Sequence, residues 1–242
     1  MTDSLYPLRH TDRDPAADPT GERLLDRAQR PWEVWVPDSP AIVLGNSQLA
    51  EKEIDVAAVL RDGIPVHKRI SGGGAVLLSP GCVCIALRFR KNKTLAIHDY
   101  FAMGSQAIVE AVKDKLGLAL FLRGTSDLAC GGAEGERKVA GSALYMPRDF
   151  VLYLVSILVA PDLDQISRYL SHPSKEPDYR SGRSHGDFLT GLAQASGREL
   201  TASKVAAWLR ERIPAAVGKE LDWDGDREGN AAGTLGAVPA EP

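Results

Sequence analysis

The sequence predicts an α+β fold: a mixed, largely antiparallel sheet flanked by helices. Three observations carry that prediction. Two pairs of apolar runs are joined by short turns, which points to hairpins rather than parallel crossovers: AVLL and CVCIAL around Ser79-Pro80-Gly81, then KVAGSALYM and FVLYLVSILV around Pro147-Arg148-Asp149. One long amphipathic stretch, residues 98–116, repeats Phe101, Ile108, Val112 and Leu116 on one face and stops at Gly117. FVLYLVSILV is apolar at both parities, as a strand covered on both faces must be, so it belongs in the middle of its sheet.

The remaining elements follow in order. ERLLDRAQR, residues 22–30, reads as a helix, and WEVWVP and AIVLG read as strands rich in Val, Ile and Trp. DVAAVLR, residues 55–61, reads as a helix closed by Gly63, and Pro65 opens the extended segment VHKR. Cys82 and Cys84 alternate with Val83 and read as small core residues of a strand. Helices over 162–170 and 202–212 complete the body. The expected division is a flexible lead-in at 1–21, a folded body at 22–218 and a tail at 219–242. That tail sets six acidic side chains against Lys219 and Arg227, and its glycines and late prolines predict that it does not pack.

Composition excludes several classes. Of 242 residues, 44% are apolar and 25% charged, the mix of a soluble globular chain. The net charge of −3 argues against nucleic acid as a partner, because a binder of that kind needs a basic face. The longest apolar stretch, residues 150–160, is far short of the roughly 20 residues that cross a bilayer, so no membrane partner is expected. The N-terminus shows no signal-peptide core. Cys82, Cys84 and Cys130 form no CxxC pair, which argues against a disulfide framework or structural zinc and fits a reducing cytoplasm.

Three segments carry more than packing. In KRISGGGAV, three successive glycines cost backbone entropy, which either a tight turn or a close approach of backbone amides to an anion would justify. Lys68 and Arg69 beside them suit phosphate oxygens. In GERKVAGSA, Lys138 stands at the mouth of a strand, and Gly141 inside that strand implies a bulge or a ligand lying on the backbone. In RGTSDLAC, Asp127 opens an apolar pair and suits a turn cap, a metal ligand or a ligand anchor.

In this order the segments resemble the lipoate–protein ligase family, part of the wider biotin/lipoate ligase group. The resemblance rests on AIVLGNSQ (41–48), KRISGGGAV, the Ser126-Asp127-Leu128 element and RKVAGSA, with EPDYRSGRSHGDFLTGL similar to a late segment of one branch. It spans roughly residues 22–215 and implies a biotin/lipoate ligase-like (class II synthetase-like) catalytic domain. The implied activity has two steps: lipoate or octanoate and ATP, with Mg²⁺, give an acyl-adenylate, and a lysine of a lipoyl-acceptor domain then takes the acyl group. Acceptors of the family are the E2 component of 2-oxoacid dehydrogenases and the H protein of glycine cleavage.

Carried over by residue, the resemblance puts Lys138 on the acyl carbonyl and α-phosphate, and Arg69 on the nucleotide phosphates. Ser71, Gly72, Gly73, Gly74, Ala75, Val76 and Leu77 would line the nucleotide and acyl chain. Asp127 would lie near the adenylate and a possible Mg²⁺, while Gly141 and Ala143 would leave room along the strand. Two motifs depart from many members: Tyr153-Leu154-Val155 stands where His-His-Gly is common, and Leu78-Ser79 where His-Asp is. Bacterial members often carry a small C-terminal domain, and the 24 residues after 218 are too few for one, which leaves three expectations open: a chain that works without it, a separate accessory protein, or a lost half-reaction. The rival readings are an ATP-independent octanoyl or lipoyl transferase using Cys130 as a thioester nucleophile, a biotin ligase, and a non-catalytic acyl-adenylate binder. His185 suits either a structural role or a general base, and His67 has no assignment.

Overall fold

Among the described residues, nine strands divide between a large sheet and a small one, and the space between the two sheets becomes the site. The computed structural model describes residues 19–27, 29–131 and 135–222. The strands are β1 (Trp32–Trp35), β2 (Ala41–Leu44), β3 (Val66–Lys68), β4 (Val76–Leu78) and β5 (Cys82–Arg90), then β6 (Phe121–Arg123), β7 (Asp127–Cys130), β8 (Arg137–Tyr145) and β9 (Phe150–Leu158). The large sheet runs β1-β5-β9-β8-β7-β6, every neighbour antiparallel. The small sheet runs β3-β2-β4, with β2 parallel to β3 and antiparallel to β4. The expected mixed, mainly antiparallel architecture is therefore what forms, with β9 central.

The helices are α1 (Ala50–Glu53), α2 (Val56–Arg61), α3 (Ile97–Leu116), α4 (Leu163–Tyr169), α5 (His185–Phe188), α6 (Leu192–Ser196) and α7 (Ala202–Val217). Asp99 begins α3 by accepting from the Ala96 amide, and Gly117, at φ 70°, ends it. The apolar face of α3 packs with α7 on one side of the large sheet, where Ile108, Val112, Val205 and Leu209 meet β5 and β9. Gly104 lets α3 come close, since a Cβ there would fall 2.7 Å from the buried Tyr153 ring. The opposite side of the large sheet faces the small sheet through Trp35, Val43, Leu78 and Cys84. No helix among the described residues is long and apolar enough to cross a membrane.

Four local expectations are corrected. AVLL and CVCIAL do not pair: β4 belongs to the small sheet and β5 to the large one, so Ser79-Pro80-Gly81 carries the chain between sheets. ERLLDRAQR is not an α-helix, for only Glu22–Leu25 coil, as a 3-10 turn. Arg88, 1% exposed on β5, instead collects the carbonyls of Leu24, Asp26, Arg27 and Gln29, and an α-helix over 22–30 would need those of Leu24 and Asp26 for its own bonds. The body extends past 218, because Leu221 bridges to Phe89 and Asp222 pairs with Arg88 at 3.4 Å. Similarly, Thr20 and Gly21 are packed although they fall in the expected lead-in. The rest of the lead-in, 1–18, and of the tail, 223–242, lies outside the described residues.

Candidate active site

The glycine segment links β3 to β4 and is folded around an arginine. Arg69 donates from Nε and Nη2 to Gly72 O (3.1 and 2.8 Å), from Nη2 to Gly74 O (2.8 Å) and from Nη1 to Val43 O (3.3 Å). Burial lowers its pKa to about 10, which still leaves the guanidinium charged at neutral pH. The sequence reading aimed this guanidinium at phosphate; here it is turned into its own loop, which it shapes. Gly73 sits at φ 96°, and a Cβ on it would lie 2.8 Å from Arg69 Nη2. Sequence reasoning missed the partner of this loop: Gly45, whose Cβ would fall 2.1 Å from Gly73 O. The final glycine of AIVLG was the available signal.

Lys138 is placed by strand pairing on both sides. Across β7 and β8, Leu128 faces Ala140 and Ala129 faces Lys138, so Val139 is an extra residue and β8 bulges there. On its other side, Lys138 O accepts from Thr190 N at 3.0 Å. The side chain then meets Asp127, Nζ to Oδ1 at 2.8 Å. Asp127 opens strand β7, not a turn cap, and is 6% exposed. Gly141 stands directly opposite it, and a Cβ there would be 2.9 Å from Lys138 Nζ. The bulge lies two residues before that glycine, at Val139, and the space at Gly141 is filled by the lysine's own ammonium.

The late segment, residues 171–190, forms a strap over this end. Its 3-10 turn Asp178–Arg180 brings Tyr179 Oη to Asp127 Oδ2 at 3.0 Å. Arg180, 4% exposed, lies 4.8 Å from the centre of the Phe188 ring and donates to Arg183 O. Glu53, also buried, holds the strap's Ser174 hydroxyl. His185 contacts Ser171 O through Nε2 at 3.1 Å and has Nδ1 3.5 Å from Arg180 Nη2, a pattern that suits neutral imidazole. Tyr179 and Arg180 were not singled out from sequence, although EPDYRSGRSHGDFLTGL contains both.

Burial, above all, lowers the His185 pKa. The folded state therefore binds fewer protons at this site than the unfolded state, whose ordinary value is about 6.5. Its contribution is present above that pH and is lost as pH falls through the lowered folded value. Acidification from about pH 7.5 to 5 is expected to cost wild type more in Tm than His185→Gln, measured by calorimetry. Equal losses would remove His185 from this account.

Between the sheets and under the strap lies a cavity of about 560 Å³. It brings together Arg69, Gly73, Gly74, Ala75, Val76, Leu77, Asp127, Lys138, Gly141 and Ala143. Ser71 and Gly72 stay outside its lining: the Ser71 side chain is buried, and Gly72 borders an adjoining hollow of about 380 Å³. One end is apolar, where Trp35, Val43, Val76, Leu78 and Cys84 cluster, and the other carries Lys138, Asp127, Arg123 and Lys175. The departing residues Leu154 and Val155 line it, whereas Tyr153 is buried beneath, with its pKa pushed up to about 12 by burial. Cys130 closes strand β7; its thiol belongs to the main core, and burial raises its pKa. No group of three or more His, Cys, Asp or Glu suited to a metal occurs among the described residues.

Residues 24–213 match the model of the lipoyl protein ligase A/B catalytic domain. Lipoate-protein ligase A of Blochmanniella floridana is 32% identical over 136 residues, covering 56% of this chain and 38% of that protein. The chain thus spans well under half of that relative. Among solved structures, a bi-partite lipoate protein ligase from the archaeal lipoylation system of Thermoplasma acidophilum, studied with its E2 lipoyl domain, superposes with a TM-score of 0.68 at 21% identity, covering 82% of this chain and 77% of that one. A lipoate-protein ligase A bound with ATP gives 0.64 at 21%, covering 82% and 79%. These likenesses show a shared fold.

Proposed function

Because the chain belongs to the lipoyl protein ligase A/B catalytic-domain family, we propose that it activates lipoate or octanoate with ATP and passes the acyl group to a lysine of a lipoyl-acceptor protein. The observation that carries this reading is the two-ended cavity, apolar around Val43, Leu78 and Cys84 and charged at Lys138 and Asp127. The acyl tail takes the apolar end, which leaves its carboxylate at the lysine. A carboxylate oxygen attacks the α-phosphorus of ATP, and the bond to pyrophosphate breaks. Anion meets anion in that step, and the Lys138 ammonium offsets the charge where it builds up. The acceptor amine then attacks the acyl carbon, AMP departs and the amine proton is lost to solvent. Lys138 serves again, because the carbonyl oxygen and phosphate carry the charge of this second step too.

Mg²⁺ brought with ATP would supply positive charge at the phosphates, and Asp127 is the carboxylate at the charged end that would hold it. Arg69 acts by holding Gly72 and Gly74 in the shape that admits the nucleotide, while Gly141 and Ala143 keep the wall of β8 low. The bi-partite archaeal relative, described with its E2 lipoyl domain, supports acceptors of the lipoyl-domain kind; E2 and H proteins are the acceptors this reading names, with an accessory chain working beside this one. The ATP-bound neighbour supports ATP as the co-substrate. A cytoplasmic setting fits these partners.

The thioester route gains nothing from Cys130, which is absent from the cavity lining and buried in the core. Cys130→Ser is therefore expected to keep acid-dependent activity within about twofold, whereas a thioester enzyme loses its nucleophile. Exchange of labelled pyrophosphate into ATP, dependent on lipoate or octanoate, tests both points in one assay. Acyl transfer that persists without ATP and stops in Cys130→Ser would overturn the ligase reading.

A further inference from the structure

The Tyr179 hydroxyl of the strap meets Asp127, and no step above uses it. Tyr179 Oη donates to Asp127 Oδ2 at 3.0 Å while Oδ1 holds Lys138 Nζ at 2.8 Å. A carboxylate that is 6% exposed is thus fixed by one donor on each oxygen. The phenol is itself well held. Its ring packs on Phe188 with centroids 5.1 Å apart, and the Arg123 guanidinium lies 5.7 Å from its centre. Arg183 donates to Tyr179 O at 2.7 Å and to Glu136 O at 2.8 Å, which ties this turn to the mouth of β8. Burial and then the Asp127 charge raise the Tyr179 pKa, so the phenol keeps its proton and acts as a donor.

We propose that Tyr179 is a positioning residue for acyl activation, keeping Asp127 in place when Lys138 leaves it for the reacting phosphate. The inference rests on the ligase reading above. In the resting arrangement the ammonium is neutralised by Asp127, and it must give up part of that contact to meet an anionic phosphate. The carboxylate left behind is buried, and a buried charge without donors is costly. The Tyr179 hydroxyl lowers that cost and stops the carboxylate from following the lysine. No proton moves and no bond forms at the phenol. Because Tyr179 belongs to the strap, a seated strap and a ready Lys138 become one event.

The test uses the full chain. Tyr179→Phe keeps the ring against Phe188 and removes only the donor. It is expected to lower kcat for acid-dependent exchange about tenfold, with KM for acid and ATP within about twofold. In an Asp127→Asn background, whose residual rate is the reference, adding Tyr179→Phe is expected to change kcat less than about twofold, because the two residues act as one unit. A residue that merely supports the strap would multiply its loss in both backgrounds, and that result overturns the proposal.

A second readout needs no activity: reductive methylation of Lys138 with formaldehyde and cyanoborohydride, followed by peptide mass. Without the Tyr179 donor, Asp127 pairs more tightly with the Lys138 ammonium and keeps it protonated, so Tyr179→Phe is expected to lower that rate at least about twofold. An unchanged rate contradicts the coupling. Should folded wild type show no exchange, the ligase reading fails on that result, and methylation alone decides whether Tyr179 acts through Asp127.

Discussion

Lys138→Gln is expected to cut acid-dependent pyrophosphate exchange by about a hundred- to a thousandfold, the usual effect of removing one pre-placed charge or donor from a reacting centre. Glutamine keeps an amide donor for Asp127 but carries no charge to offset two reacting anions. The fold should survive, since Lys138 is held by backbone pairing with Ala129 on one side and Thr190 on the other. Lys138→Ala should lose as much activity, and also about 1–3 kcal/mol of stability, because buried Asp127 then keeps Tyr179 alone as its side-chain partner. Exchange rates together with chemical denaturation separate the two effects. A glutamine variant within tenfold of wild type would mean that the Lys138 charge is not what the reaction uses.

Arg88→Leu is expected to be the most destabilising single change, at about 3–5 kcal/mol by denaturant titration, the range for breaking a buried charged pair. The side chain is 1% exposed, and its donors reach the backbone oxygens of Leu24, Asp26, Arg27, Gln29 and Asp222. Leucine leaves those carbonyls and the Asp222 carboxylate without their common partner. Arg88→Lys should rescue little, because one ammonium cannot span contacts made by a planar fork. The damage should reach the cavity, since Pro19 and Thr20, just before the turn that Arg88 holds, line it. A loss below about 1 kcal/mol would show that residues 24–29 and Asp222 are held by something else.

Much of the architecture was legible because it depends on local pattern. Apolar runs at both parities placed β9 centrally, the repeat of Phe101, Ile108, Val112 and Leu116 gave α3, and Pro147-Arg148-Asp149 gave the β8–β9 hairpin. What failed depended on distant partners. Ser79-Pro80-Gly81 announces a turn, but whether the flanking strands pair is decided by β2 and β9, which claim β4 and β5 separately. ERLLDRAQR has helical spacing, yet an arginine about sixty residues away takes its carbonyls. At the site, Lys138 and Asp127 were readable from their motifs, and the structure adds their contact. Gly45 and Tyr179 were not, because each matters through one atom of a residue remote in sequence.

The most direct measurement is exchange of labelled pyrophosphate into ATP by the purified chain, with lipoate or octanoate, alongside Lys138→Gln of equal thermal stability. The account predicts exchange that requires the acid and disappears in the variant. No acid-dependent exchange by folded wild type, or undiminished exchange by the variant, would contradict it.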